Sequence, residues 1–216
     1  MNKKQTTTLV KYSDLLPIPV MENNEPFVQL DNVGIKKRKI LVRKTVAIKL
    51  QKAARALKAL CPTWELYVVC GYRSLEIQTK KFQKTLVRTI RNGFIPNSID
   101  LYERVHEQIA VPTVAGHPTG GAIDVYIIDT KTKKSLDFGS KIYDYTTKLY
   151  PTFAQRVSKK ARLNRMLLRR TMMKTGFAPY DGEWWHFSYG DREWAYYYNK
   201  KYAIYKQTSL KEFKGM

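Results

Sequence analysis

At 216 residues and 44% hydrophobic content, the chain is long enough to bury one sizeable core. It contains no run of about 18 apolar residues, which excludes a membrane-spanning helix, and its two cysteines are too few for a disulfide scaffold. The net charge of +21, from 39 Lys and Arg against 18 Asp and Glu, predicts affinity for polyanions. The cations are spread along the chain with no nucleic-acid-binding pattern, however, and read as solvated surface.

The N-terminus starts basic but has no apolar stretch behind it, so no secretory signal is expected and the protein reads as cytoplasmic. Cys61 and Cys70 read as reduced thiols, one closing a helix and one ending a strand. Residues 1–40 look irregular and extended, because Pro17, Pro19 and Pro26 break helices; Phe27-Val28-Gln29-Leu30 offers an edge strand. From Val42 to Leu60 the pattern is helical: Val42, Val46, Leu50, Ala53, Leu57 and Leu60 recur at spacings of three and four, and Pro62 ends the run. Glu65 to Cys70 reads as a buried strand. Gly71-Tyr72-Arg73 then leads to Ser74, the cap of a helix that runs to about Arg91. A further helix starts at Pro96-Asn97-Ser98 and runs to about Ile109, and its His106 reads as a surface histidine.

Gly116 to Asp129 is the most informative stretch. It reads as a glycine-rich loop carrying His117, followed by a buried strand carrying Asp124. A carboxylate on an apolar strand is costly unless a cation or a hydrogen-bond network meets it. Beyond it, Asp137 and Asp144 are loop acids. Phe153 to Lys174 reads as a basic amphipathic helix, with Arg156, Lys159, Lys160, Arg165, Arg169 and Arg170 on its polar face. Phe177 to Tyr180 and Glu183 to Tyr189 read as a hairpin with Asp181-Gly182 in its turn. The aromatic, lysine-rich tail from Trp194 reads as a packed terminal helix. No repeat or linker interrupts the chain, so a single domain over 1–216 is expected.

The distant segments combine into one zinc site. A catalytic zinc takes three protein ligands and leaves one position open. His117, Asp124 and His186 supply two imidazoles and a carboxylate. Glu183, three residues before His186 and flanked by Trp184 and Trp185, is placed to act as general base without being a ligand. Arg73, at a strand-to-helix junction, is the candidate to stabilise an oxyanion.

The pattern His117-x6-Asp124, followed by Glu183-Trp184-Trp185-His186-Phe187 and preceded by Gly71-Tyr72-Arg73, resembles the zinc D-alanyl-D-alanine dipeptidases of the LAS group. The resemblance covers roughly residues 10–195 and leaves a basic aromatic extension over 196–216. It implies an α+β fold, a small antiparallel sheet flanked by helices, with one zinc per chain. It also implies hydrolysis of D-alanyl-D-alanine to two D-alanines, with His117, Asp124 and His186 as ligands, Glu183 as base and Arg73 as transition-state stabiliser. Asp144, matched through a one-residue insertion, would hold the substrate's amine, and Tyr72 would add a substrate contact. Ala115 stands where the family often has a serine. The alternatives are a wall peptidase acting on longer stem peptides and, behind it, a non-catalytic polyanion-binding protein.

Overall fold

The computed structural model describes residues 9–30, 39–93, 97–209 and 211–212. Both chain ends, the basic run Lys36-Lys37-Arg38 and Pro96 lie outside the described residues.

The elements run α1 (Tyr12–Leu15), β1 (Phe27–Gln29), β2 (Leu41–Arg43), α2 (Lys44–Leu60), β3 (Trp64–Cys70), α3 (Leu75–Arg91) and α4 (Ser98–His106). After a 3₁₀ turn at His117–Thr119 come β4 (Ala122–Asp129), β5 (Lys134–Ser135), α5 (Lys159–Lys174), β6 (Ala178–Pro179), β7 (His186–Ser188) and α6 (Arg192–Tyr197). The main sheet is antiparallel in the order β3-β4-β7-β6, with β5 paired to the end of β4. This is the expected α+β arrangement, a small antiparallel sheet flanked by helices.

The sheet forms where β-branched and aromatic residues alternate. Side chains on a strand point to opposite faces in turn, so Ile123, Val125 and Ile127 enter the core with Leu66 and Val68, and Asp124 faces the other way. α2 covers the core face with Val46, Leu50, Ala53 and Leu57, and the Cys61 N–H closes it on the Leu57 carbonyl. α3 begins and ends where the sequence predicts, capped by the Ser74 hydroxyl. A second cluster of Leu15, Phe82, Val105, Val111 and Val114 joins α1, α3 and α4.

Four expectations change. β1 pairs with β2 in its own two-stranded sheet instead of edging the main one. A short helix, α1, precedes the prolines. α5 begins six residues later than its apolar pattern suggests, because Ser158 caps it through the Ala161 N–H. The tail's helix α6 ends at Tyr197, after which Ala203, Tyr205 and Thr208 are buried in irregular chain. The Thr208 N–H donates to the Pro118 carbonyl at 2.8 Å, and the Gln207 amide donates to the Ala115 carbonyl at 2.9 Å. The stretch that sequence reading set aside as an extension is therefore bonded to the turn that carries His117.

α5 also departs from its simple amphipathic pattern. Arg165, read as part of the polar face, is fully buried. Its guanidinium donates to the carbonyls of Phe138, Leu149 and Pro151, each at 2.7 Å. These bonds close a loop over residues 139–150 at both of its ends. Arg169 is buried too, forked onto Asp181 at 2.9 and 3.1 Å. Arg165→Met leaves three carbonyls without their charged donor, so we expect a loss of about 3 kcal/mol. In a thermal melt this lowers Tm by roughly 6–12 °C for a chain of this size; a change below about 2 °C would mean the loop is held by other contacts.

Candidate functional site

The sheet register assembles the site. Asp124 on β4 lies opposite His186 on β7 and opposite Cys70 on β3, so three adjacent strands present these side chains in one row. His117 reaches the row from the 3₁₀ turn just before β4. Gly120 ends that turn at φ +73, a conformation glycine adopts without strain, and this lets the chain enter β4 directly. Gly71 is needed for a different reason: a Cβ there would meet the Leu41 carbonyl oxygen at 2.6 Å, and its own carbonyl accepts the His117 Nδ1 proton at 2.8 Å.

That bond fixes the His117 tautomer. Nε2 is left facing Asp124 Oδ2 at 3.2 Å. On the other side, His186 Nδ1 faces Asp124 Oδ1 at 3.0 Å. The outer nitrogen of His186, Nε2, lies 3.2 Å from Glu193 Oε2, an ion-pair contact and not an aligned hydrogen bond. The ring centroids of the two histidines are 5.1 Å apart, with the rings edge to face. The carboxylate therefore bridges two imidazoles, each with its far nitrogen turned to an oxygen acceptor. Metal-binding histidines are ordinarily held this way, by a carbonyl or carboxylate behind the ring. Among the described residues, Asp124, Glu183 and His186 offer donor atoms within 4.8 Å of one another, and so do Cys70, His117 and Asp124. The donor set of two imidazoles and carboxylates suits zinc.

Glu183 sits in the loop between β6 and β7, its backbone in a turn closed by the His186 N–H on the Glu183 carbonyl at 3.2 Å. Trp184 stacks on Phe138 with ring centroids 4.2 Å apart, and Trp185 is fully buried. Burial pushes the Glu183 carboxyl up to about 7, against the pull of His186 and a hydrogen bond from Tyr145. Burial disfavours charge on His117, but the Asp124 carboxylate outweighs it and holds the imidazole up at about 9. His186 is raised as well, with burial overcome by Glu193 and Asp124. For Asp124, burial is overcome by the two imidazoles, which keep it well below the usual carboxylate range.

A cavity of about 190 Å³ opens onto this row. Its wall includes His117, Asp124, Glu183 and His186 together with the cations Arg73 and Lys81. Arg73 is held by Gln78 Oε1 at 2.9 Å and by Cys70 Sγ at 3.5 Å, and Gln78 is itself anchored on the Ala110 carbonyl. Ala115 lines the same cavity.

Three expectations fail here. Asp144 does not line the cavity. Its carboxylate accepts the Thr146 N–H and hydroxyl in an outer turn, while its neighbours Tyr143 and Tyr145 face inward. Tyr72 also lies outside the cavity wall, its hydroxyl donating to the Thr208 carbonyl at 3.0 Å and its ring set edge-on to Phe27. His106 is buried and lines the cavity, its Nδ1 accepting the Val111 N–H. Sequence reading did not find Glu193, Tyr143 or Tyr145 as site residues. Glu193 lies seven residues beyond His186, on the first turn of α6, and a carboxylate close in sequence to a candidate ligand histidine was the available signal.

Comparison with known proteins follows the same line. A model of the family described as D-ala-D-ala dipeptidase matches residues 5–208. A D-alanyl-D-alanine dipeptidase from Synechocystis sp. is 26% identical, covering 90% of this chain and 94% of its own. Two solved structures share the fold. The vancomycin-resistance D,D-pentapeptidase VanY in complex with Zn(II) is 17% identical with TM-score 0.50, over 96% of this chain and 98% of its own. VanYB in complex with D-alanine-D-alanine is 18% identical with TM-score 0.51, over 97% of each chain.

The shifted groups set a pH dependence for the metal-free protein. Glu183 releases its proton near 4.5 when unfolded and near 7 when folded, so its burial subtracts stability as pH rises through that interval. His117 titrates near 6.5 unfolded and near 9 folded, so its contribution is complete below 6.5 and lost as pH rises through 9. Both act in one direction. We expect the Tm of chelator-treated protein to fall between about pH 5.5 and 8.5, and the increment gained on adding zinc to grow over the same range, because metal binding favours deprotonated donors. A zinc increment that shrinks with rising pH would contradict this.

Proposed function

The chain belongs to the D-ala-D-ala dipeptidase family of zinc metallopeptidases, and from that premise we propose that it hydrolyses D-alanyl-D-alanine to two D-alanines, with one zinc held by His117, Asp124 and His186. The observation that carries this reading is the buried Asp124 carboxylate between two oriented imidazoles, with the Glu183 carboxylate in the same small cavity.

Zinc, when bound, supplies Lewis acidity and lowers the pKa of water from about 16 toward ~7. Glu183 accepts the proton of the attacking water and delivers it to the leaving amine. Its raised basicity, close to 7, suits it to both transfers at neutral pH. Arg73, held by Gln78 and Cys70, stabilises the oxyanion on the former carbonyl. Lys81 is the remaining cation of the cavity wall and makes no ion pair among the described residues. It receives the substrate's terminal carboxylate, which makes the enzyme cut next to a free C-terminus. The cavity of about 190 Å³ falls below the roughly 300–1,000 Å³ of drug-sized pockets, which favours a dipeptide over an extended stem.

Release of D-alanine from D-alanyl-D-alanine and from a pentapeptide stem by zinc-loaded protein tests the substrate. Cleavage of the dipeptide is expected. Cleavage of the stem alone would make the protein a peptidase of longer substrates, as the name D,D-pentapeptidase given to the VanY structure says of that protein. Glu183→Gln should keep zinc and lower kcat by about 10²–10⁴-fold. Lys81→Met should raise KM for the dipeptide by about tenfold and leave kcat within about twofold, a loss on the scale of one charged hydrogen bond.

A further inference from the structure

One loop touches both carboxylates of the site. Residues 139–150 leave the β5 side of the sheet, cross the cavity and return before α5. Arg165 fixes the two ends of this loop through the carbonyls of Phe138, Leu149 and Pro151. From within it, the Tyr143 hydroxyl donates to Asp124 Oδ2 at 2.7 Å, and the Tyr145 hydroxyl donates to Glu183 Oε1 at 2.5 Å. Both rings stand edge-on to the buried Trp185, at 5.8 and 6.0 Å. Tyr143 sits at φ +63, a left-handed conformation that a bulky residue rarely adopts and that persists only where its surroundings hold it.

We propose that Tyr143 and Tyr145 are positioning residues, a pair of hydroxyl clamps that set the orientation of Asp124 and Glu183 respectively. The proposal rests on the zinc-peptidase reading above. A carboxylate has two oxygens and turns freely about its last bond. Tyr145 takes Oε1 of Glu183 and leaves Oε2 as the oxygen free to meet a water proton. Tyr143 takes Oδ2 of Asp124, the oxygen that also faces His117, and so holds Oδ1 toward His186. Both bonds join a hydroxyl to a carboxylate at the short distances of charge-assisted pairs. Packing alone does not account for them, because phenylalanine would keep each ring against Trp185 and lose only the hydroxyl.

The test uses full-length, zinc-loaded protein carrying Tyr145→Phe or Tyr143→Phe, with melting temperature as the check that each variant is folded. Tyr145→Phe is expected to lower kcat for D-alanyl-D-alanine about tenfold, with KM within about twofold and zinc affinity unchanged. In the Glu183→Gln background it should cause no further loss, since the group it positions is no longer a base. Tyr143→Phe is expected to weaken zinc binding by about 10–100-fold in competition with a chelator, a readout that needs no turnover. An unchanged kcat in Tyr145→Phe, an equal loss in the Glu183→Gln background, or unchanged zinc affinity in Tyr143→Phe would each overturn the clamp. Wild-type protein that releases no D-alanine would sink the substrate reading instead, and the zinc-affinity comparison then judges the clamp by itself.

Discussion

A single carboxylate, Asp124, is 1% exposed on the second strand of the sheet, and much of the structure is arranged to tolerate it. An ionised carboxylate without partners would not survive such burial, since desolvation costs several kcal/mol even after relaxation. Here an imidazole meets each oxygen, and the Tyr143 hydroxyl adds a third donor. The histidines are held in turn from behind, His117 by the Gly71 carbonyl and His186 by the Glu193 carboxylate. The glycine at 71, the pairing of β4 with β7 and the place of Glu193 on the first turn of α6 therefore serve one electrostatic requirement. Removing any of them leaves a buried charge with an incomplete set of partners.

This arrangement also sorts the two acids of the site into different roles. Asp124 lies between two imidazoles and stays ionised. Glu183 is buried too, 8% exposed, but has no ion-pair partner among the described residues, so its carboxyl rises to about 7. Two carboxyl groups a few ångströms apart thus separate into a permanent anion and a group poised to exchange a proton. Arg73 and Lys81 line the same cavity, so anionic and cationic side chains share one small wall. The +21 net charge of the chain lies mostly outside this cavity, whose wall holds Arg73 and Lys81 of the 39 Lys and Arg.

Much of this was legible in the sequence, for identifiable reasons. α2 and α3 were readable because their apolar residues recur at helical spacing and Ser74 caps the second of them. Asp124, Glu183 and His186 stood out as polar residues in or beside apolar or aromatic runs, where chance placement is expensive, and His117 stood out in the glycine-rich loop that leads into the Asp124 strand. Arg165 and Arg169 were misread because helical periodicity assigns a residue to a face and cannot foresee that a guanidinium will find carbonyls or a carboxylate inside. Tyr143 and Tyr145 were missed because they lie in a loop with no period, and their partners are 19 and 38 residues away. Asp144 was taken from the family resemblance through a one-residue insertion, but its carboxylate bonds to Thr146 in an outer turn beside Tyr143 at φ +63. His106 looked peripheral on its short helix, and only the packing of α4 against α3 places it in the cavity wall.

Zinc affinity of Asp124→Asn is the most direct measurement of the central claim, because the substitution keeps the shape of the side chain and removes its charge. Metal analysis and chelator competition on wild-type and variant protein give the answer. The account predicts close to one zinc per wild-type chain and a loss of affinity of at least about 100-fold in the variant. Full zinc stoichiometry with unchanged affinity in Asp124→Asn would contradict it.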